Sequence, residues 1–305
     1  MGTKGSGRNF KMSTQTTNSQ VVAPRRKKPF STKDFVFRVL LYAFLTMSAS
    51  VVLIPLLSLL SVALQPPEST QTGLSWPTDP TWSNFETAWT KGDFPLPVLM
   101  VNSLFVASMV VPLGVTISVL AGYAFGTMKF PGSNVLFYVF MIGLVMPFEA
   151  TIVPLYYQLR DMGLINNPWG VILPEVALFC AFGIFWMRQF FMAAPPALVE
   201  AARIDGAGSL RILRSVLLPI AWPPVLTLAT LMFIWSWNEF ILSLVVLDRE
   251  TRTAPSGLGI FTGQWTSEIP ALSAAALIIA LPTILLYVVL NRRIISGILQ
   301  GAVKG

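Results

Sequence analysis

The sequence predicts an all-α integral membrane protein with six transmembrane helices, and three observations support that prediction. Apolar residues make up 54% of the 305 residues and charged residues only 11%, whereas a soluble globular domain carries about 25% charged residues. The apolar residues fall into six long segments, and a helix needs roughly 20 such residues to cross a bilayer. Polar separators with turn-forming residues divide these segments, so each helix has a place to end.

The N-terminal region precedes and includes the first predicted helix. Residues 1–33 are polar and basic and lack a hydrophobic stripe, so we expect a disordered cytoplasmic tail there. The basic cluster at residues 25–28 suits a topology signal better than a nucleic-acid site. The apolar run over residues 35–64 exceeds the ~7–15-residue core of a signal peptide and fits a membrane-spanning helix, in which Pro55 is tolerated. Residues 34–97 are therefore predicted to form the first transmembrane helix and a polar external loop.

The other five predicted spans form a core transmembrane domain over residues 98–293, and residues 294–305 are predicted to be a cytoplasmic tail. A Pro131-Gly132 turn follows the second span, and Pro168 precedes the fourth. We predict these five spans at residues 98–126, 134–158, 169–191, 217–247 and 270–291.

The charge distribution predicts how the chain is oriented in the cell membrane of a prokaryote. With a cytoplasmic N-terminus, 17 of the 21 Lys and Arg residues lie on the cytoplasmic side and four outside, while eight of the 14 acidic residues lie outside. This partition satisfies the positive-inside rule, and six spans then place both termini in the cytoplasm. Topology therefore accounts for the net charge of +7, and no nucleic-acid partner is predicted.

Missing residue types exclude most enzymatic chemistry. The chain has no histidine and a single cysteine, Cys180, so it lacks Ser-His-Asp and Cys-His nucleophiles, most kinds of zinc site and any internal disulfide. We therefore predict no catalytic residue, no metal site and no cofactor on this chain. Cys180 is interpreted as a small apolar packing residue.

The polar stretch between the predicted fourth and fifth spans predicts a short cytoplasmic helix. Pro195 or Pro196 suits the first helical turn, where a backbone N–H is not needed, and Gly206 and Gly208 suit the end. Glu200 is expected early in the helix, near its positive end. About ten residues give a rod of roughly 15 Å.

One face of this predicted helix is small and apolar. Leu198, Ala201 and Ala202 share that face at i, i+3 and i+4 spacing, so another surface can approach closely. The residues alone leave two interpretations open, which are a helix lying on the lipid surface and a helix that transmits force to a cytoplasmic partner.

The same stretch resembles the EAA motif of binding-protein-dependent ABC importer permeases. Similar pieces run from about residue 35 to the end of the chain, and the C-terminal residues are similar to those of the six-span permease of the maltose-transporter type. The resemblance implies a type I ABC importer permease fold with a MetI-like core. It is carried by Glu200-Ala201-Ala202, Asp205-Gly206-Ala207, Leu218-Pro219, Asn102-Ser103-Leu104, Phe130-Pro131-Gly132, Gly163-Leu164-Ile165-Asn166 and, for the carbohydrate branch, Trp237-Asn238-Glu239-Phe240.

The resemblance also implies partners. Residues 196–208 would form the coupling helix that sits in a cleft of a cytoplasmic ATPase, with Glu200 and Asp205 as polar contacts. The close-packing and motif positions would be Ala201, Ala202, Gly206 and Ala207. The sequence has no GxxxxGK[ST] stretch to bind nucleotide phosphates, so ATP and Mg would belong to two copies of that separate ATPase. A second homologous permease and an external solute-binding protein complete the implied assembly.

Polar residues within or beside the predicted spans suggest a substrate pathway. A charge at mid-bilayer costs at least about 2.5–3.5 kcal/mol on insertion scales, so such residues usually face a cavity or a partner. The predicted directions of the spans place four polar residues toward the external half of the bilayer, and two tryptophans there suit stacking on sugar faces. Headgroup contact, interhelical hydrogen bonding, packing on the partner permease and interfacial anchoring remain open alternatives. The candidates are Asn102, Glu149, Glu175, Trp235, Trp237, Asn238 and Glu239.

We therefore predict the permease subunit of an ATP-driven ABC importer that moves a sugar, most simply a di- or oligosaccharide, by alternating access. Glycerol phosphate or another polyol is the alternative cargo. The alternative function is an ion-coupled secondary transporter that uses the intramembrane glutamates; that function gives the EAA helix no role, and no internal repeat supports it.

Overall fold

The structure, a computed structural model, describes residues 1–2, 32–92, 95–261 and 268–302. The regular secondary structure in these residues is helical. The predicted N-terminal tail lies almost entirely outside the described residues. The chain divides into two compact units, residues 1–51 and 52–305, which are described separately.

The first unit contains most of helix α1 (Thr32–Ala63). The side chains from residue 35 to residue 49 are all exposed, and they include Phe37 and Tyr42. The Ser50 hydroxyl donates to the carbonyl oxygen of Thr46 at 2.9 Å, so this polar group is satisfied within the helix. The helix is long and apolar enough to cross a membrane, and its surface suits contact with lipid or another apolar partner.

The second unit is built from helices that differ greatly in length. Helix α8 continues through a π-turn at Leu213–Leu217 into α9, so that Ser209–Trp237 is one continuous span. A 3₁₀ turn at Leu258–Phe261 follows α11. The helices are α2 (Ser83–Thr90), α3 (Leu96–Thr127), α4 (Ser133–Val145), α5 (Phe148–Asp161), α6 (Trp169–Ala193), α7 (Pro196–Ile204), α8 (Ser209–Ile212), α9 (Leu218–Trp237), α10 (Ile241–Val246), α11 (Ala254–Gly257) and α12 (Ile269–Ala302).

Helices α3, α6 and α9 pack against one another around the main apolar core, in which Met187 and Met232 are fully buried. Gly183 permits this close approach, because a Cβ atom there would overlap Ser118 Oγ and lie 2.9 Å from Met232 Cε. Helices in a bilayer associate by close packing of small residues, since lipid tails are as apolar as the side chains. Gly183 therefore fixes the separation of the three helices.

The predicted spans are confirmed, with two changes of shape. Among the described residues, five helices are long and apolar enough to cross a membrane, and a sixth span results if the bent pair α4 and α5 counts as one. This pair, predicted as a continuous third span, turns by 100° at Met146 and Pro147. Proline pushes the preceding residue out of the helical region, and Met146 has extended dihedrals of φ −66° and ψ 129°.

The predicted fifth span is also interrupted. Helix α9 ends at Trp237, and α10 begins only at Ile241. The intervening Asn238, Glu239 and Phe240 were expected to be helical. Within the described residues, two of the predicted spans are thus broken, at Pro147 and at residues 238–240, and both breaks border the same cavity.

Candidate functional site

Helix α7 is the element that carries the EAA-like sequence. It begins at Pro196 and ends at Ile204, so it is shorter than the predicted range of 196–208. Gly206 ends it in the left-handed conformation, with φ +77°, and the N–H of Ala207 returns to the carbonyl oxygen of Ala202 at 2.9 Å. Left-handed glycine after the last helical turn is a common helix stop. Glu200 lies in the middle of the helix rather than in its first turn, which corrects our expectation.

The two faces of α7 have different surroundings. Ala202 and Ala207 are half-buried and pack on the main core, together with Val199. Ala202 therefore packs against its own chain, whereas Ala201 is exposed. Leu198, Ala201 and Ala202, which were predicted to share one face, thus do not all point to the same surroundings. The exposed side presents Glu200, Ala201, Asp205 and Gly206, with Leu198 and an 86% exposed Ile204 beside them.

The α7 end of the unit is held to the long helices by side-chain contacts. The Tyr123 hydroxyl on α3 donates to the carbonyl oxygen of Ser209, the first residue of α8, at 3.1 Å. On α6, Arg188 donates from Nε to the carbonyl oxygen of Phe125 at 3.4 Å and lies 4.2 Å from the ring centroid of Phe137. The segment that follows α7 is therefore tied to α3.

A cavity of about 440 Å³ lies where the two helix breaks meet α6. It brings together five of the seven predicted pathway residues, from three separate spans. These are Glu149, Glu175, Trp235, Asn238 and Glu239.

Glu175 and Glu239 are held in different ways. Glu239 accepts the backbone N–H of Leu242 at 2.6 Å and of Ser243 at 2.9 Å, and so caps the first turn of α10. Glu175 is 1% exposed, and neither of its carboxylate oxygens has a hydrogen-bond partner in the described part of the chain.

The other cavity residues lie nearer the surface. Glu149 is exposed in the first turn of α5. The Asn238 side chain donates from Nδ2 to the carbonyl oxygen of Ile234 at 2.7 Å. Trp235 is half-buried against Phe182, with ring centroids 5.2 Å apart in an edge-to-face arrangement. This contact fixes the indole as a rigid wall of the cavity.

Two predicted pathway residues do not line the cavity. Trp237 donates from Nε1 to the carbonyl oxygen of Ile279 at 3.0 Å and so joins α9 to α12. Asn102 donates from Nδ2 to the carbonyl oxygens of Glu250 at 2.8 Å and Arg252 at 3.0 Å. Both side chains hold elements together, and Asn102 fixes the loop that follows α10.

Sequence reasoning missed the apolar part of the lining. Their side chains are apolar, only Phe240 belongs to a motif named above, and the fold brings them to one place. They are Phe148, Leu178, Phe179, Ile234, Phe240 and Ile241.

Several helices long enough to span a membrane, a short exposed helix and a cavity between broken spans are typical of a membrane permease. The family described as the binding-protein-dependent transport system inner membrane component matches residues 114–298, and the chain belongs to this family. It is therefore a multi-pass membrane protein and an ABC importer permease rather than an enzyme. Family membership decides against the ion-coupled transporter considered above.

Individual relatives match most of the chain. A trehalose transport system permease protein of Mycobacterium tuberculosis is 30% identical over 263 residues, which are 85% of this chain and 95% of the relative. An sn-glycerol-3-phosphate transport system permease protein of Salmonella typhi is 31% identical over 224 residues, 71% of this chain and 79% of the relative.

A solved structure shows the same fold. It belongs to a bacterial ABC transporter involved in the import of the acidic polysaccharide alginate, and it matches with a TM-score of 0.73. The match covers 86% of this chain and 98% of the other at 22% identity. At that identity the likeness defines the fold alone.

Proposed function

We propose that this permease carries a sugar, a di- or oligosaccharide, across the membrane and that α7 is the helix through which ATP hydrolysis drives it. One observation carries the proposal: the continuous span Ser209–Trp237 begins directly after α7 and ends among the cavity residues. At about 1.5 Å per residue such a span is roughly 43 Å long. A push on α7 therefore reaches the cavity through one helix.

The exposed side of α7 suits docking into a cleft of a separate ATPase. It combines two carboxylates, Glu200 and Asp205, with small or apolar side chains that allow close contact. The half-buried Ala202 and Ala207 would instead seat the helix on its own spans. ATP and Mg would be bound by two copies of the ATPase, and closure of the pair would rock the spans between inward-open and outward-open states.

The charge distribution supports a cytoplasmic position for α7 and for both termini, because 17 of the 21 basic residues then lie inside. The cavity would consequently lie toward the outer half of the membrane. The loop after α10, fixed by Asn102, would be on the outside, where a solute-binding protein docks. A second, homologous permease would enclose the cargo from the opposite side.

The names of the relatives support a sugar as cargo and keep glycerol phosphate as the runner-up. The aromatic wall formed by Trp235 beside carboxylate and amide side chains suits a sugar ring, whose faces are apolar and whose edges bear hydroxyls.

Co-purification of the affinity-tagged permease with the ATPase encoded for the same importer tests the proposal. We expect the two chains to elute together, and we expect ATP-dependent sugar uptake in vesicles that also contain the binding protein. Uptake driven by an ion gradient, without a bound ATPase, would overturn the proposed function.

A further inference from the structure

Ser243 on α10 takes part in two sets of hydrogen bonds, one through its backbone and one through its side chain. Its backbone N–H donates to Oε2 of Glu239 at 2.9 Å, and Glu239 borders the cavity. Its hydroxyl group contacts the loop that follows α10 and the helix α11 beyond that loop. Because α10 has six residues and is roughly 9 Å long, Ser243 lies between the cavity and this loop.

The hydroxyl groups of Ser243, Thr253 and Ser256 form a buried cluster, here called the hydroxyl clasp, and none of the three residues is more than 1% exposed. The Thr253 hydroxyl donates to Ser243 Oγ at 2.8 Å, and the Thr253 backbone N–H donates to the same oxygen at 3.1 Å. The Ser256 hydroxyl donates to the carbonyl oxygen of Thr253 at 3.0 Å. Since these two hydroxyl protons are used, Ser243 is the donor to Ser256 Oγ, which lies 2.7 Å from Ser243 Oγ.

The clasp uses the full hydrogen-bonding capacity of the Ser243 side chain. A serine hydroxyl has one proton and two lone pairs. Ser243 gives its proton to Ser256 and receives both of its hydrogen bonds from Thr253. Linked hydrogen bonds in a buried network strengthen one another. We therefore expect Thr253 and Ser243 to move together.

The loop after α10 is also attached to α3. Ser103 Oγ accepts the backbone N–H of Ala254 at 2.8 Å, and the Asn102 side chain binds two carbonyl oxygens of the loop. The loop thus has one attachment to α3 and another to α10. The second attachment leads, through Ser243, to a residue that borders the cavity.

We propose that Ser243 is a positioning residue that couples the outer loop to the cavity. A binding protein that displaces this loop would then change the hydrogen bonds by which α10 holds Glu239. The inference rests on the proposed function, which places the loop outside the membrane beside the binding protein. The exposed loop residues 248–250 are available for that contact. Thr253 is buried, so it passes the displacement to Ser243 without touching the binding protein.

The first test measures ATP hydrolysis by the complete importer against the concentration of its binding protein, purified with its bound solute. Each titration gives the ratio of the saturated to the basal rate and the half-saturating concentration. Thr253→Val removes the hydroxyl that donates to Ser243 and keeps the shape of the side chain. It should lower the ratio about 2–13-fold, the range by which one lost hydrogen bond changes an equilibrium. The half-saturating concentration should stay the same, because Thr253 is buried.

Two variants are the matched controls. Thr253→Ser keeps the hydroxyl group and should keep the ratio. Thr230→Val also removes a buried hydroxyl, but that hydroxyl donates to the carbonyl oxygen of Leu226 within α9, at 2.7 Å, so the ratio should not change. An unchanged ratio in Thr253→Val contradicts the inference. An equal loss in either control also contradicts it, because the loss would then not depend on the clasp.

The second test is hydrogen exchange of the α10 amides, which a purely structural role of the clasp would leave insensitive to the binding protein. In the natural complex, the binding protein should change the exchange of Leu242 and Ser243, whose N–H groups donate to Glu239. Thr253→Val should abolish this change. A stimulated natural complex without the change, or a change that persists in Thr253→Val, overturns the inference. A natural complex that the binding protein does not stimulate would instead contradict the proposed function.

Discussion

Replacement of Gly206 tests the role of α7 most directly. This glycine has φ +77°, and a Cβ atom at its position has no heavy atom of the chain within 4 Å. A Cβ atom there therefore causes backbone strain but meets no other part of the permease. A partner that presses against the end of α7 would collide with a larger side chain.

The strain can be estimated from the backbone. An L-residue in the left-handed region costs about 1–2 kcal/mol, which changes an equilibrium about 5–30-fold. Gly206→Ala should show this effect alone, and Gly206→Asn less of it because asparagine tolerates left-handed dihedrals. Gly206→Leu adds the collision and should abolish transport, whereas Glu200→Ala, which removes one polar contact of about 0.5–3 kcal/mol, should weaken it less.

Gly132 is the matched control, because it has φ +78° and equally open space at its Cβ position but precedes α4. The assay compares ATPase co-purification and sugar uptake for Gly206→Leu and Gly132→Leu. We expect Gly132→Leu to lose only what strain explains and Gly206→Leu to lose the ATPase or to uncouple hydrolysis from uptake. Normal uptake by Gly206→Leu with the ATPase fully bound would refute the assignment of α7.

Three further predictions concern topology, packing and the outer loop. In a chain whose single cysteine has been changed by Cys180→Ala, a cysteine at Ser75 should react with a membrane-impermeant reagent from outside and one at Ser209 should not; the opposite pattern would invert the proposed orientation. Gly183→Leu should prevent assembly, because its side chain would occupy the position of neighbouring atoms of α3 and α9, so a normal yield of folded complex would contradict the packing argument. Asn102→Ala should release the loop after α10 and weaken stimulation of the ATPase by the binding protein while basal hydrolysis remains; unchanged stimulation would separate the loop from that role.

Composition and periodicity were sufficient to predict the spans, because the length of an apolar segment can be read directly from the sequence. Composition and periodicity did not predict the break at Met146 and Pro147. Proline inside a span has more than one outcome: Pro112 lies within continuous α3, whereas Pro147 begins a new helix. Packing against neighbouring helices decides between these outcomes, and a single sequence does not contain that information.

The candidate site was likewise predicted only in part. Glu175 and Glu239 were predicted to share a depth because the spans alternate in direction, and the cavity brings them together. Trp237 was grouped with Trp235 because both are aromatic and near Glu239. Residues two positions apart on a helix lie about 200° apart around its axis, and the structure places Trp235 at the cavity and Trp237 against α12.

The π-turn at Leu213–Leu217 has a consequence for how the length of this span can change. A π-turn accommodates one extra residue within a helix, so removing Ser215 would leave a regular α-helix with both flanks facing as before. A deletion further along, for instance of Thr230, would rotate every later residue by about 100° and turn Trp235 away from the cavity. A deletion of one residue is therefore expected to be tolerated at the π-turn, close to α7, and not near the cavity. The length of this span can thus change by one residue at its α7 end without turning the residues that line the cavity.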